Sequence, residues 1–178
     1  MCQHRPSKIV SGGQTGVDRA ALDVAMYLGI PHGGWCPAGR RSESGAIPAV
    51  YQLSETEKRD YSVRTEKNVI DSDGTLILFY KRLSGGTELT RRLASKHKRP
   101  CLQIDLAERV PDEFAPKSEI DDQRCEALLK WTGQLNIQVL NVAGPRASSQ
   151  TGIGQMAEAF LVQTWTLQTG ESGESSES

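Results

Sequence analysis

The chain has 178 residues, a formal charge of −1 and 24% charged side chains. That length supports one domain with a real hydrophobic core, and the near-neutral balance excludes a general nucleic-acid coat. No apolar run approaches the roughly 18 residues of a membrane span; no charged-then-apolar leader opens the chain and no Cys-x-x-Cys occurs, so free thiols in a reducing cytoplasm are expected.

Ile9-Val10 ends a short first strand. Val17, Ala20, Ala21, Val24 and Leu28 then recur at helical spacing. Thr15-Gly16-Val17-Asp18 matches a capping box at the start of that helix, and Gly29 suits its end. Residues 31–62 fit neither period. They carry Pro31, Gly33, Gly34, Pro37, Gly39, Gly45 and Pro48, while Trp35, Cys36 and Tyr51 argue against disorder. A connection this long in a compact domain is usually functional or disordered.

The run TLILFY at 75–80 is continuously apolar, as in a strand covered on both faces. GGTELTRRLASKHK reads as the next helix and CLQID as the next strand. Ile120, Ala127, Leu128 and Trp131 outline a third helix, and IQVLNV at 137–142 a further buried strand. Ile153, Met156, Ala157, Phe160 and Leu161 make the clearest helical stripe. The alternation predicts an α/β fold, a mostly parallel sheet with helices on both faces. It fills a single domain over 1–168. The remainder, 169–178, is acidic, lacks large apolar groups and reads as a disordered tail.

In an open parallel sheet, ligands bind beyond the carboxyl ends of the strands. Three strand-to-helix junctions are rich in glycine: SGGQTG at 11–16, SGGTE at 84–88 and AGPRASSQTGIG at 143–154. Right-handed connections place all three on one edge. Glycine lets backbone N–H groups approach an anion, and a helix N-terminus adds a positive dipole. The same residues also make ordinary turns and caps. It is their recurrence on one edge that points to a phosphate-like group. Neither G-x-G-x-x-G nor a P-loop Gly-Lys-Ser/Thr is present.

Arg40, Arg41, Arg64 and Arg146 are candidate partners of an oxyanion. Asp18 is a capping acid, Asp73 a turn residue or an acceptor for a ring edge. Glu88, in the first turn of its helix, is either a dipole-stabilised acid or the best-placed carboxylate for acid–base work. Trp35 is a candidate for stacking on a flat ring. Trp131 and Trp165 fall on apolar stripes and read as core. No His, Cys and carboxylate spacing suggests zinc, and no Gly-x-Ser-x-Gly elbow occurs.

The segments SGGQTGVDRAALDVA, GIPHGGWCPAGRRSESGAIP, YSVRTEKNVIDSDGTLIL, SGGTELT and LNVAGPRAS resemble the molybdenum cofactor carrier proteins over roughly residues 8–160. That family is similar to Rossmann-like proteins that include the lysine-decarboxylase-like phosphoribohydrolases. The resemblance implies a Rossmann-like fold, a pterin or nucleotide ligand, a cytoplasmic setting and a homo-oligomer, dimer or tetramer. It implies the molybdenum cofactor (molybdopterin) as bound ligand, with no metal ligand from the protein, and a molybdoenzyme or cofactor-synthesis protein as partner. Carried over by position, Gly12, Gly13, Thr15 and Gly16 match the first loop. Gly85, Gly86 and Thr87 match the second, and Gly144, Pro145 and Arg146 the third. Arg40, Arg41, Arg64 and Asn68 lie in the intervening segments. Asp73, Glu88 or Asn141 are placed to read the pterin edge. The phosphoribohydrolases carry P-G-G-x-G-T-x-x-E in the second loop. Here it is Ser84-Gly-Gly-Thr-Glu88, shorter and without the later acid. Binding, storage or delivery of the cofactor without chemistry is thus the leading expectation. The alternatives are a nucleotide N-glycosidase using Glu88 and a nucleotide-sensing module.

Overall fold

The computed structural model describes residues 5–107 and 117–166. The predicted tail, His4 and Cys2 lie outside the described residues. In chain order the elements are β1 (Lys8–Val10), α1 (Val17–Tyr27), β2 (His32–Gly33), β3 (Trp35–Cys36), β4 (Arg41–Ser42), β5 (Gly45–Ala46) and β6 (Ser54–Glu55). Then come α2 (Tyr61–Ile70), β7 (Gly74–Phe79), α3 (Gly85–Lys96), β8 (Cys101–Asp105), α4 (Lys117–Gln134), β9 (Val139–Ala143) and α5 (Ile153–Thr166).

Five strands form the central sheet in the order β2-β1-β9-β7-β8, every pairing parallel. The apolar run in β7 explains its inner position: Gly74 to Leu78 are all buried, which only a strand covered on both faces achieves. One layer is built by α1, α4 and α5. Val17, Ala21 and Val24, then Cys125 and Leu128, then Ile153, Ala157, Leu161 and Trp165 share a core with Ile9, Leu76, Leu78, Leu140 and Val142. The second layer is α2 and α3, joined by Val69, Leu93 and Ala94. This is the Rossmann-like α/β arrangement expected. Trp165 is in the core and Trp131 packs against it.

Residues 31–60 are ordered, although they lack a helical or strand period. Leu22 of α1 packs with Cys36, Ile47 and Tyr51, and Leu53 joins them. The Tyr51 hydroxyl donates to Asp23 at 2.8 Å. Within this flap β3 pairs with β6 in parallel, and β4 and β5 make a hairpin.

Two local readings change. The first helix starts at Val17 with Gly16 as N-cap and no side-chain cap, so Thr15 and Asp18 do not form the expected capping box. Asp18 reaches back into the preceding loop, because a buried carboxylate gains more from the loop amides and Arg64 there. The end behaves as read. Gly29 is left-handed at φ 66°, Gly29 N donates to Met26 O and Ile30 N to Ala25 O, which is a Schellman closure. The second change is α2, which begins at Tyr61, inside the stretch 31–62 that fits neither period. It buries Thr65, Asn68 and Val69, and Asp60 caps it by accepting from Ser62 N.

Candidate functional site

A cleft of about 300 Å³ opens beyond the carboxyl ends of β1, β7 and β9. Its walls include Gln14 from the first glycine loop, Ser84, Gly85, Gly86 and Thr87 from the second, and Gly144, Pro145 and Arg146 from the third. Tyr61, Arg64 and Thr65 of α2 and Asp18 of α1 complete it. The three loops thus converge as the topology requires, at the middle strands of the sheet.

The glycines serve two different ends. At Gly12 a Cβ would overlap the Arg64 guanidinium, 1.5 Å from Nη1. At Gly16, left-handed at φ 83°, it would meet Pro145 O at 2.4 Å, and at Gly144 it would meet Leu78 O at 2.4 Å. A Cβ at Gly13 would strike Leu53 Cδ1 at 2.6 Å. These four are glycine because protein packs against them. Gly85 and Gly86 differ, since a Cβ at either would meet nothing within 4 Å. Both line the cleft at the first turn of α3, where Gly85 is also left-handed at φ 51°.

At both loops backbone amides meet protein acceptors. In the first loop, Gln14 N and Gly12 N lie against the Asp18 carboxylate. Thr15 N donates to Gln14 Oε1 and Val17 N to Pro145 O. The dipole end of α1 is therefore occupied by protein acceptors. At α3, Thr87 N and Glu88 N turn to Ser84 O, while Ser84 lies exposed on the cleft wall with no side-chain cap bond.

Arg64 supplies the central charge. Its Nη1 donates to Asp18 Oδ2 at 2.9 Å, with side chains 13% and 4% exposed. Its Nε is buried without a partner. Burial pushes the Asp18 carboxyl up, against the pull of Arg64 and of the Gln14 and Gly12 amides. The pair fixes the guanidinium under Gly12 at the cleft wall. Arg146 stands on the opposite loop, half-exposed, with Nε 3.2 Å from Ser149 Oγ and 3.4 Å from Glu43 Oε2.

Other expected site residues are elsewhere. Asp73 precedes β7, at the amino end of the sheet, and its Oδ2 accepts from Gln138 N and Val139 N at 3.0 and 2.8 Å. It is a turn residue on the wrong edge to read a ligand. Arg40 turns inward to the carbonyls of Ile47, Pro48, Tyr51 and Leu53. Asn68 bonds Trp35 N and O at 2.8 and 3.0 Å. Trp35 sits under Lys67 and donates its Nε1 to Asp71, so it does not offer a stacking face to the cleft. Asn141 is buried and donates to Thr75 Oγ1. Arg41 lies 6.0 Å over the ring of Tyr61, a residue of the cleft wall. Thr15 bonds Glu43 and Ala147 N rather than lining the cleft. Glu88 is outside the wall, held by Arg91 at 2.6 Å and by Arg92 at 3.3 Å. The Arg91 hydrogen bond brings its carboxyl down to about 2, so near neutrality it is an anion held by its own helix. Gln14, Tyr61, Thr65 and Ser149 were not singled out in sequence. Gln14 and Ser149 had a signal, their places inside the first and third glycine loops.

Among the described residues no group of three His, Cys, Asp or Glu side chains could hold a metal ion. Among them, no helix is long and apolar enough to cross a membrane.

A parallel sheet with a loop-lined cleft over its middle strands defines a Rossmann-like ligand-binding protein. Residues 9–165 match the model of the circularly permutated YpsA SLOG family, and the chain belongs to that family. Among solved structures it is similar to the crystal structure of a "Putative molybdenum carrier protein" from Syntrophus aciditrophicus SB. The two share 49% identity and superpose with a TM-score of 0.79, over 88% of this chain and 92% of that one. No curated protein matches the chain.

Proposed function

We propose that the cleft binds a small molecule by its phosphate and that the protein carries this ligand unreacted, with the molybdenum cofactor as cargo. The observation that carries the reading is the open corner at Gly85 and Gly86, facing a wall that contains Arg64 and Arg146. A helix N-terminus with an open glycine pair, and two guanidinium groups in the same cleft wall, suit a phosphate dianion. Ser84, Thr87 and Ser149 add hydroxyls around it. The molybdenum carrier name of the Syntrophus protein supports the choice of cargo. In such a cargo the metal is bound through the dithiolene of the pterin, so the protein's part is to hold phosphate and oxo groups. Delivery requires a donor in cofactor synthesis and a molybdoenzyme acceptor. A nucleoside monophosphate would present the same phosphate to the same corner, and it is the competing ligand class.

The test uses protein purified from a host that makes the cofactor, beside the Gly86→Ala variant. After denaturation and oxidation, pterin fluorescence and molybdenum are measured per chain. Wild type is expected to carry both in near-equal amounts. The methyl added in Gly86→Ala projects into open space, so that variant should fold, with the helix favoured by up to about 1 kcal/mol, yet come out empty. Nucleotide without molybdenum in the wild-type extract would reassign the cleft, and equal loading of the variant would move the phosphate elsewhere.

A further inference from the structure

Beside the cleft, the hairpin of β4 and β5 brings a carboxylate onto the ligand loops. Glu43 accepts from the Thr15 hydroxyl of the first loop and from the Ser148 N–H and hydroxyl of the third. The Arg146 guanidinium stands 3.4 Å away. Glu43 N in turn donates to Gln14 Oε1, and Gln14 lines the cleft. Two hydroxyls, a backbone N–H and a guanidinium converging on one point are the donor set of an oxyanion receptor. None of these donors comes from the hairpin itself. The occupant is a carboxylate at the tip of a hairpin whose ends, Arg40 and Ile47, are anchored in the flap. The hairpin has only two residue pairs, Arg41 with Ala46 and Ser42 with Gly45, and apart from Ser42 its residues are exposed. Ser42 is tied to Arg19 at 2.9 Å.

We infer that Thr15, Arg146 and Ser148 form a second anion cradle, that the Glu43 carboxylate fills it in the free protein, and that a second anionic group of the ligand displaces Glu43 and lifts the hairpin. The inference rests on the cleft as a phosphate site, since Arg146 is the wall the two share. The class of ligand it implies is one with two anionic ends, a phosphate for the Gly85–Gly86 corner and an oxyanion for the cradle. The arrangement makes physical sense as a latch. A tethered carboxylate competes at high effective concentration, so singly charged ligands are rejected. A tetrahedral oxyanion of higher charge matches four donors better than a carboxylate does. The hydrogen bonds from Ser148 and Thr15 hold the Glu43 carboxyl below its ordinary range, so it stays an anion and is not displaced by protonation near neutrality. Opening need move only the tip of the hairpin, residues 43–46, about ends anchored at Arg40 and Ile47.

The probe is inorganic phosphate, titrated calorimetrically into the full chain. Wild type should bind phosphate at the cleft corner, and Gly86→Ala should abolish it. Glu43→Ala should expose the cradle and gain a second phosphate at least about tenfold tighter than any second site of wild type, the change expected when a latch closed some nine-tenths of the time is removed. The double variant Glu43→Ala/Gly86→Ala should keep the cradle phosphate alone. If the double variant binds none, or if Glu43→Ala binds as wild type does, Glu43 is a brace between loops and the inference falls, while the cleft reading stands on the Gly86→Ala result. If wild type ignores phosphate but the double variant binds it, the cleft reading falls and the cradle survives. Amide exchange on wild type is the second measurement, for the case in which Glu43→Ala does not fold. Saturating phosphate should speed exchange over residues 41–46, and slowing or no change overturns the latch.

Discussion

Arg40 shows how a residue chosen for its charge can serve a different end. Its backbone is left-handed at φ 50°, unusual for a side chain with a Cβ. The turn lets its guanidinium reach four carbonyls, those of Ile47, Pro48, Tyr51 and Leu53, at 2.8 to 3.2 Å. Arg41, next in sequence, points outward over Tyr61. Sequence alone treats the two arginines as equivalent, because nothing in Arg40-Arg41 encodes which one meets buried acceptors. Arg40→Ala should cost about 2 kcal/mol and leave the flap frayed. Limited proteolysis should then cut within residues 41–53 under conditions that spare the wild type.

At the scale of elements, α3 and α2 set the site in opposite ways. The start of α3 was legible: a glycine pair after a buried strand, ahead of a helical stripe, predicts exposed amides. The same sequence also offers partners that tie its acid to its own helix, a pairing the functional reading of Glu88 passes over. Glu88 lies three and four residues before Arg91 and Arg92, the spacing at which side chains meet. Glu88→Gln should therefore leave ligand affinity unchanged, and a nucleoside monophosphate hydrolysis assay should read the same for variant and wild type. By contrast α2 begins inside the stretch 31–62 that fits neither period. It buries two polar residues, Thr65 satisfied by Tyr61 O and Asn68 by the backbone of Trp35, 33 residues away. Its reward for that polarity is Arg64, placed in the cleft wall opposite α3. Glu43 was equally hidden, since its partner Ser148 is 105 residues off. The sheet, its layers and the loop edge follow from local periods. The assignment of each polar side chain follows from contacts that no local period contains.

For the whole molecule, titration predicts a stability plateau with two flanks. Burial pushes the Cys101 thiol up to about 11, and burial with the hydrogen bond to Asp23 pushes the Tyr51 hydroxyl to about 12. The folded chain keeps these protons where the unfolded chain sheds them. Stability should therefore fall as pH rises above about 9, the ordinary thiol value. On the acid side Glu88, Glu66 and Glu43 are held below their ordinary value by their hydrogen-bond partners. Their contribution is present above about pH 4.5 and is lost as pH falls toward 2. These carboxylates are near the surface, so the acid flank should be the shallower. Urea midpoints measured from pH 2 to 11 check both the signs and the asymmetry. The position of β9, between β1 and β7, has a consequence for synthesis. A ribosome releases the sheet as two fragments, β1 with β2 and then β7 with β8, each with one bare inner edge. The strand that fills the gap emerges after both. Until it does, the nascent chain holds two unfinished templates that can recruit a neighbour's strand as readily as their own.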